Sequence, residues 1–492
     1  MKVVFLNPPF KGRFSRTSRS PAVSISGTIY YPIWLSYGAG STEKAGHEVI
    51  MIDAPADGLA TSDVLEKVRM FGAGMVVLDT STASIYSDVK VAEAIKEVLP
   101  DTYIALVGTH PSALPEETLQ LSPVLDAIAI GEYDHTIRDL AGALDAGSPV
   151  CDVAGLAVRH EGEITRTTPR AKIEDLDELP FVSSVYKKHL NYKSYYLADA
   201  KYPLLQIITG RGCPFPCFYC VYPQTFHSRR YRMRSAENVV AEFEYIKENF
   251  PDVKEIRIED DTFSADKKRA QSICQMLIKR KIGLTWQCDV RSDIDYETLK
   301  LMKSAGCRLV GIGFESSNQE VLNLMHKGSK AEMYFSFAKN ARRAGLLVHG
   351  NIMCGTPGDT REIQKENYKF ATKLNCDSMQ FYPLYVYPGT EAYQWAKDNG
   401  YLLTEDFSKW VKEDGSHNCV FSTEEMSAEE MVELCERYTT RYHLRPRYLL
   451  MKLGQAIRHP SEGIRSIKSG WSLLKKIARG NKAAENRVVC EG

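Results

Sequence analysis

Thr209-Gly-Arg-Gly-Cys213-Pro-Phe-Pro-Cys217-Phe-Tyr-Cys220 sets three cysteines at the spacing Cys-x₃-Cys-x₂-Cys. Gly210, Gly212, Pro214 and Pro216 keep that loop out of regular structure. The run before it, Tyr202-Pro-Leu-Leu-Gln-Ile-Ile-Thr209, reads as a buried strand, so the cysteines lie just past a strand end. A zinc ion would want a fourth ligand close by, usually from a second paired motif. None follows: the next cysteine, Cys274, falls in a helical pattern. A cube-shaped iron–sulfur cluster is held by three thiolates, with one iron left open to a small molecule. The plainer alternative is three buried free thiols.

Around this loop the chain is ordinary in bulk. At 492 residues it is too long for one core, and two to three domains are expected. Net charge is zero, so general attraction to nucleic acid is not indicated. No apolar run of about eighteen residues marks a transmembrane span. The opening Met1-Lys-Val-Val-Phe-Leu-Asn-Pro-Pro is too short an apolar run for a signal peptide. Twelve scattered cysteines make no disulfide framework, so a reduced, cytoplasmic setting is expected.

Residues 1–150 alternate short apolar strands with helical patterns. The strands are Lys2–Leu6, Glu48–Asp53, Met75–Asp79, Tyr103–Gly108 and Ala127–Gly131; a helix spans Ser87–Val98. That alternation predicts a doubly wound parallel sheet, with ligands in the crevice past the strand ends. The loops there are Asn7-Pro-Pro, Asp79-Thr80-Ser81-Thr82, Gly108-Thr109-His110-Pro111 and Gly131-Glu132-Tyr-Asp134. Their small and hydroxyl residues suit close approach to a ligand. No Gly-x-Gly-x-x-Gly follows the first strand, which argues against a nicotinamide dinucleotide. Residues 151–200 read as a connector, with Glu161-Gly-Glu163 a tight turn between short strands and Ile173–Pro180 an acidic linker pinned by its leucines.

Cys213, Cys217 and Cys220, with Tyr219 before the third, resemble the signature of the radical S-adenosylmethionine (SAM) enzymes. The resemblance implies a 4Fe–4S cluster whose open iron takes the amino and carboxyl groups of SAM. It also implies an electron donor such as a flavodoxin or ferredoxin. One electron cleaves the sulfonium, and the resulting 5′-deoxyadenosyl radical takes hydrogen from an unactivated carbon. The strand-end loops of residues 1–150 are similar to the cobalamin-binding domain that precedes the radical domain in one large class of these enzymes. On that resemblance Asn7, Thr80, Ser81, Gly108, Thr109, His110, Gly131 and Glu132 are the candidate cobalamin contacts. The pattern Asp-x-His-x-x-Gly, which gives cobalt a histidine in other cobalamin proteins, is absent, so His110 reads as a contact residue.

The resemblance further implies a partial (β/α)₆ barrel over residues 201–396. Ser235 is the expected N-cap of a helix bearing Val239, Val240, Phe243, Ile246 and Phe250. Strand Glu255–Glu259 runs into Asp260 and Asp261, three carboxylates too costly to bury without donors. Placement at strand ends favours a ligand site, and the same holds for Arg291, able to clamp a carboxylate, and Glu315. Gly355 and Pro357 mark a further strand end. In the family such positions run along the SAM pocket, with Tyr219, Asp260, Asp261, Arg291, Glu315, Gly355 and Pro357 as candidates. Cys274, Cys288, Cys307, Cys354 and Cys376 read as buried small hydrophobes, of which Cys288 and Cys354 lie near strand ends.

Residues 397–492 are read as a helical, basic segment. From Arg437 to Gly492 there are thirteen Lys or Arg against three Glu, interleaved with leucines, isoleucines and Trp471. Such a pattern suits either an anionic membrane surface or a helix capping the open barrel. Narrower likenesses appear in Asp53–Leu59, Cys217–Gln224, Tyr231–Ser235 and Glu259–Phe263, which resemble the hopanoid-associated radical enzymes forming the cyclitol ether of bacteriohopanetetrol. A more distant likeness is to the anaerobic cyclase of bacteriochlorophyll synthesis. Both imply a lipid-like substrate, with methylation or skeletal rearrangement as the reaction. Residues 10–30 stay unplaced. Two other functions remain open: an RNA or protein methylthiotransferase, and a non-catalytic iron–sulfur or cobalamin carrier. The first would need a second cysteine-bound cluster, yet residues 1–200 hold Cys151 alone. The second has no use for carboxylates at successive strand ends.

Overall fold

The computed structural model describes residues 1–458 apart from 25 and 161. The basic tail around Trp471, and residue 161 of the expected turn, lie outside the described residues. Strands β1 (Lys2–Asn7), β2 (Glu48–Asp53), β3 (Met75–Thr80), β4 (Tyr103–Gly108) and β5 (Ala127–Ala129) pair in parallel in the order β2-β1-β3-β4-β5. Side chains alternate between two covered faces. Val3, Phe5, Met75, Val77, Ala105 and Val107 enter one core; Val4, Leu6, Val76, Leu78, Ile104 and Leu106 enter the other. A strand covered on both faces needs no polar side, which is why these runs are unbroken.

The hairpin β6 (Leu156–His160) and β7 (Glu163–Arg166) continues the same sheet, antiparallel to β5. Part of the expected connector is therefore a sheet edge, and the half-exposed β7 keeps it polar toward water.

The second half contributes β8 (Leu204–Ile207), a short pair β9 (Gly210–Arg211) and β10 (Arg232–Met233), then β11 (Glu255–Ile258), β12 (Thr285–Asp289), β13 (Cys307–Glu315), β14 (Leu347–Cys354) and β15 (Ser378–Pro383). Six of these form one parallel sheet, β8-β11-β12-β13-β14-β15, whose edges do not meet: a partial barrel. Helices cover its outside. In helix Ala236–Asn249 the Ser235 side chain accepts the Asn238 N–H, a cap of about 1 kcal/mol, and Val239, Val240, Phe243 and Ile246 face inward. Cys288 and Cys354 are buried in apolar surroundings, as expected of small hydrophobes. No described helix is long and apolar enough to cross a membrane.

One apolar cluster runs from Val3 in β1 to Tyr448 near the end of the described chain, so the two sheets share a core. Helix Ile33–Lys44 joins them, buried from Ile33 through Thr42. The unplaced N-terminal segment runs between the sheets: Tyr31 N–H donates to Gln206 of β8, and Tyr222 OH donates to Thr17 O. Residues 401–427 hold no α-helix, only a short 3₁₀ turn at Phe407–Trp410, where a helical segment was expected. The turn Asp414-Gly415-Ser416, with Gly415 at φ +79°, breaks any helix there and returns the chain to the N-terminal segment. Val23 N–H donates to Gly415 O at 2.8 Å, and His417 Nε2 lies 3.0 Å from Ser20 O. Helices Ala428–His443 and Pro446–Arg458 follow.

Candidate active site

Past β8 the chain turns through Thr209 and Gly210 into the cysteine loop. Asp260 pins that turn, accepting from Thr209 N–H, Thr209 Oγ1 and Gly210 N–H. Asp261 accepts from Gly212 N–H at 3.1 Å and Arg19 Nη1 at 3.0 Å, and meets His227 Nδ1 at 2.9 Å. Burial pushes the Asp261 carboxyl up, but His227 and Arg19 outweigh it and hold the group well below the usual carboxylate range. Both aspartates, expected along SAM, are thus engaged in holding the loop. Buried carboxylates take the nearest N–H donors, and here those belong to the turn itself.

Cys213 N–H donates to Ser228 O, Phe218 N–H donates to Met325 O, and a π-helical turn over Tyr222–Phe226 closes the loop. Cys213 and Cys217 are buried and Cys220 is half-buried. Burial pushes the Cys220 thiol up to about 12, with Arg19 opposing and Cys217 and Cys213 adding to the rise. A thiol so reluctant to ionise binds by exchanging its proton for the charge of a metal. Among the described residues no trio of His, Cys, Asp and Glu converges on a single ion. Three thiols on one loop with no fourth ligand in the motif fit a 4Fe–4S cluster, which takes one thiolate per iron and leaves one iron open, better than a four-coordinate zinc.

β13 passes Gly311 and Gly313 and ends at Glu315, where the register with β14 shifts and φ reaches +62°. That conformation costs about 1–3 kcal/mol in a non-glycine residue and is held by its partners. Glu315 Oε1 accepts from Tyr219 OH at 3.1 Å and Lys327 Nζ at 3.0 Å, and Oε2 accepts from Tyr382 OH at 3.2 Å. Burial would lower the lysine, but Glu315 outweighs it and holds Lys327 protonated above its ordinary range. Lys327 was not anticipated, since nothing local marks it. Arg291 was expected to clamp a carboxylate. Instead it donates to the Lys327 and Gly328 carbonyls and Ser329 Oγ, and lies 3.5 Å over the Phe215 ring of the cysteine loop. Three acceptors left open by that turn match its fork of donors. At Gly355 a Cβ would meet Met431 Sδ at 2.2 Å, so close packing against helix Ala428–His443 requires glycine there. Pro357 is half-buried in the loop after β14.

A cleft of about 310 Å³ opens between the two sheets, lined by Arg19, Tyr30, Trp34, Gln206, Tyr222, Glu259 and Asp261 among others. Around it, Glu259 accepts from Gln206 Nε2 and Arg257 Nε at 2.9 Å each, and Arg257 Nη2 donates to Asp289 at 2.6 Å.

A second, smaller opening lies at the strand ends of the first sheet, bordered by Arg16, Asp79, Thr80, Gly108, Thr109 and Tyr133, with Thr17, Trp34 and Tyr222 shared with the cleft. Arg16 is fully buried there, donating to Asn7 Oδ1, Pro8 O and Asp88. Asn7 in turn donates to Asp53, Thr80 Oγ1 to Val107 O, and Ser81 pairs with Ser84. Gly108 must be glycine: φ is +123° and a Cβ would lie 2.2 Å from Thr80 O. Asp79 Oδ2 and Tyr133 OH are buried with no hydrogen-bond partner, and both border this cavity. Burial pushes Asp79 up to about 7 against the pull of Arg16. Orphaned polar atoms at a glycine-lined switch point fit an amide-rimmed group such as cobalamin.

Thr80, Gly108 and Thr109 of the candidate contacts border the cavity. His110 packs instead, its Nδ1 3.3 Å from Thr82 Oγ1 and its ring edge-on to Phe407 at 4.8 Å; burial lowers it to about 3. Gly131 abuts Lys172 and Phe226, and Glu132 accepts from Arg232 Nη1 at 2.9 Å. Glu132, with the bidentate Arg211–Asp134 pair at 2.7 and 2.9 Å, fastens the first sheet to the chain around the cysteine loop.

Fold and site together define a class: a partial barrel with a three-cysteine loop, joined to a doubly wound ligand domain. The radical SAM superfamily matches residues 207–371, and the B12 binding domain matches residues 20–141. An uncharacterized methyltransferase of Pyrococcus horikoshii is 30% identical over 451 residues, covering 92% of this chain and 94% of that protein. The anaerobic magnesium-protoporphyrin IX monomethyl ester cyclase of Rubrivivax gelatinosus is 28% identical, covering 83% of this chain and 72% of its own. In fold, the chain is similar to the radical SAM methyltransferase TsrM of Kitasatospora setae, solved with cobalamin and a 4Fe–4S cluster. The TM-score is 0.67 at 16% identity, covering 91% of this chain and 89% of that one. The chain belongs to the cobalamin-binding radical SAM enzymes. Its cofactors are a 4Fe–4S cluster, SAM and cobalamin.

Proposed function

We propose that this enzyme places a methyl group on an unactivated carbon of a substrate seated in the cleft between the sheets. The observation that carries the reading is the shared wall of Thr17, Trp34 and Tyr222, with Asp261 of the cysteine-loop support on one side and Asp79 and Gly108 on the other. Bound there, the cluster with SAM would supply hydrogen abstraction and cobalamin would supply the methyl group. Cys213, Cys217 and Cys220 hold the cluster in this reading. Glu315 and Tyr219 receive the methionyl end of SAM, and Asp79 and Tyr133 meet the corrinoid. The chain's own part is positioning: Arg19 and His227 keep Asp261 under the loop, and the buried walls exclude water.

The substrate we infer is lipid-like in bulk and presents a polar portion to the cleft, where Glu259, Gln206 and Tyr30 offer hydrogen bonds beside the aromatic Trp34 and Tyr222. The name of the cyclase relative, whose substrate is a porphyrin ester, supports a large apolar molecule. A reducing compartment and a flavodoxin- or ferredoxin-type donor belong to the same proposal.

The test is mass spectrometry of products from reduced, cluster-loaded protein given SAM labelled in its methyl group, with and without methylcobalamin. Label in a new carbon–carbon bond, together with 5′-deoxyadenosine, is the expected result. Each single Cys→Ala change at 213, 217 or 220 should remove both products and the visible cluster absorbance. Products that gain no methyl would assign rearrangement instead, and absence of 5′-deoxyadenosine under all conditions would overturn the reading.

A further inference from the structure

Helix Pro446–Arg458 is docked by one face and apolar on the other. Its inner side is settled: Tyr448 is buried and donates to Asp377 O at 2.9 Å, Gln455 donates to Asp377 Oδ1, and Met451 meets Asn375. The outer side carries Leu449, Leu450, Leu453 and Ile457, which are 51, 68, 59 and 75% exposed. Their spacing places them on one stripe about two turns long. A docked surface helix ordinarily turns charge toward water; this one presents four large aliphatics. Arg447 is exposed on the striped helix itself, and helix Ala428–His443 exposes Arg437 and Arg441 together with Glu433 and Glu436. The sequence from Arg437 onward carries thirteen basic residues against three acidic ones in a chain of zero net charge, and seven of those cations follow residue 458, outside the described residues.

We propose that this stripe seats the enzyme on an anionic lipid bilayer, lying in the headgroup region with the arginines against lipid phosphates. Charge selects the occupant. A second copy docked stripe to stripe would bring like charges together, whereas anionic headgroups neutralise them, each cation contributing while it lies within a Debye length of the surface. An apolar stripe this narrow suits shallow insertion in the interface plane. The inference uses none of the residues lining the cleft or holding the cofactors, so it stands or falls apart from the chemistry proposed above.

The experiment is flotation of the full-length, cofactor-loaded protein with phosphatidylcholine vesicles, either neutral or carrying phosphatidylglycerol. The wild type should float with the anionic vesicles and stay behind with the neutral ones, and raised salt should weaken attachment without abolishing it. The variant L450S/L453S/I457S should lose about tenfold or more of the bound fraction while keeping its cluster absorbance and its cleavage of SAM. Equal flotation of wild type and variant, or none by the wild type, would overturn the proposal. So would a wild-type dimer in light scattering that the variant converts to monomer with no vesicle binding, which would assign the stripe to a second copy. A wild type that stays off vesicles while the variant melts lower would assign it to cover by residues 459–492, and overturns the proposal equally.

Discussion

Glu315, at the end of β13, holds a left-handed backbone position, and its carboxylate meets one ammonium and two phenols. Lys327 is 12% exposed and Glu315 5%, so neither charge is screened by much water. Replacing Lys327 by Met leaves the carboxylate with hydroxyl donors alone, and we expect a loss of about 3–5 kcal/mol in denaturant unfolding of the cofactor-free protein. Asp79 runs the other way. Its folded pKa of about 7 lies above the unfolded value of about 3.9, so folding takes up a proton. Its contribution is therefore full below about pH 4 and is lost as pH rises through about 7. Asp79→Asn should flatten that part of the stability profile of the cofactor-free protein between about pH 4 and about pH 7. At pH 8 it should raise stability by about 1–3 kcal/mol, as read by urea unfolding.

Among the elements, β4 and the short helix Thr109–Ala113 after it settle how the first sheet treats a ligand. Gly108 clears room past the strand end, while His110 turns into packing between Thr82 and Phe407. We read this buried imidazole as a packing residue, because its Nδ1 lies against Thr82 and its ring against Phe407. Electron paramagnetic resonance of the cobalt(II) form of the loaded protein should accordingly show no nitrogen splitting from the chain. A nitrogen pattern that disappears in His110→Ala would contradict this placement. The N-terminal segment is the other decisive element. Within four residues it sets Arg16 beside Asp88 at the end of one sheet and Arg19 beside Asp261 at the end of the other.

The molecule as a whole is fastened across its cleft by buried ion pairs. Arg211 is fully buried and Asp134 nearly so, and their bidentate bond links the cysteine loop to the first sheet. Removing one partner strands a charge: Asp134→Leu should cost about 3–5 kcal/mol. Adding Arg211→Met should return part of that loss, with a coupling of about 1–3 kcal/mol in the double-mutant cycle. Additive losses in that cycle would show that the Arg211–Asp134 pair does not help to hold the two sheets together.

The primary sequence by itself determined the two alternating halves and the cysteine loop. Those features are local: apolar runs of strand length, Ser235 three residues before the N–H it caps, cysteines spaced along one loop. Glu315 was legible for the same reason, as a lone acid at a glycine-bearing strand end. Tertiary structure alone decided which polar groups meet. Arg19 and Asp261 stand 242 positions apart, Arg211 and Asp134 77 apart, and no periodicity encodes such pairs. The corrections share that cause. Asp260, Asp261, Arg291 and Glu132 lie at strand ends where a ligand was expected, but each met a closer partner first: turn amides, three open acceptors, a facing arginine. A buried charge must be satisfied by whatever the folded chain brings within hydrogen-bond reach. That partner is chosen by packing and not by neighbours in sequence.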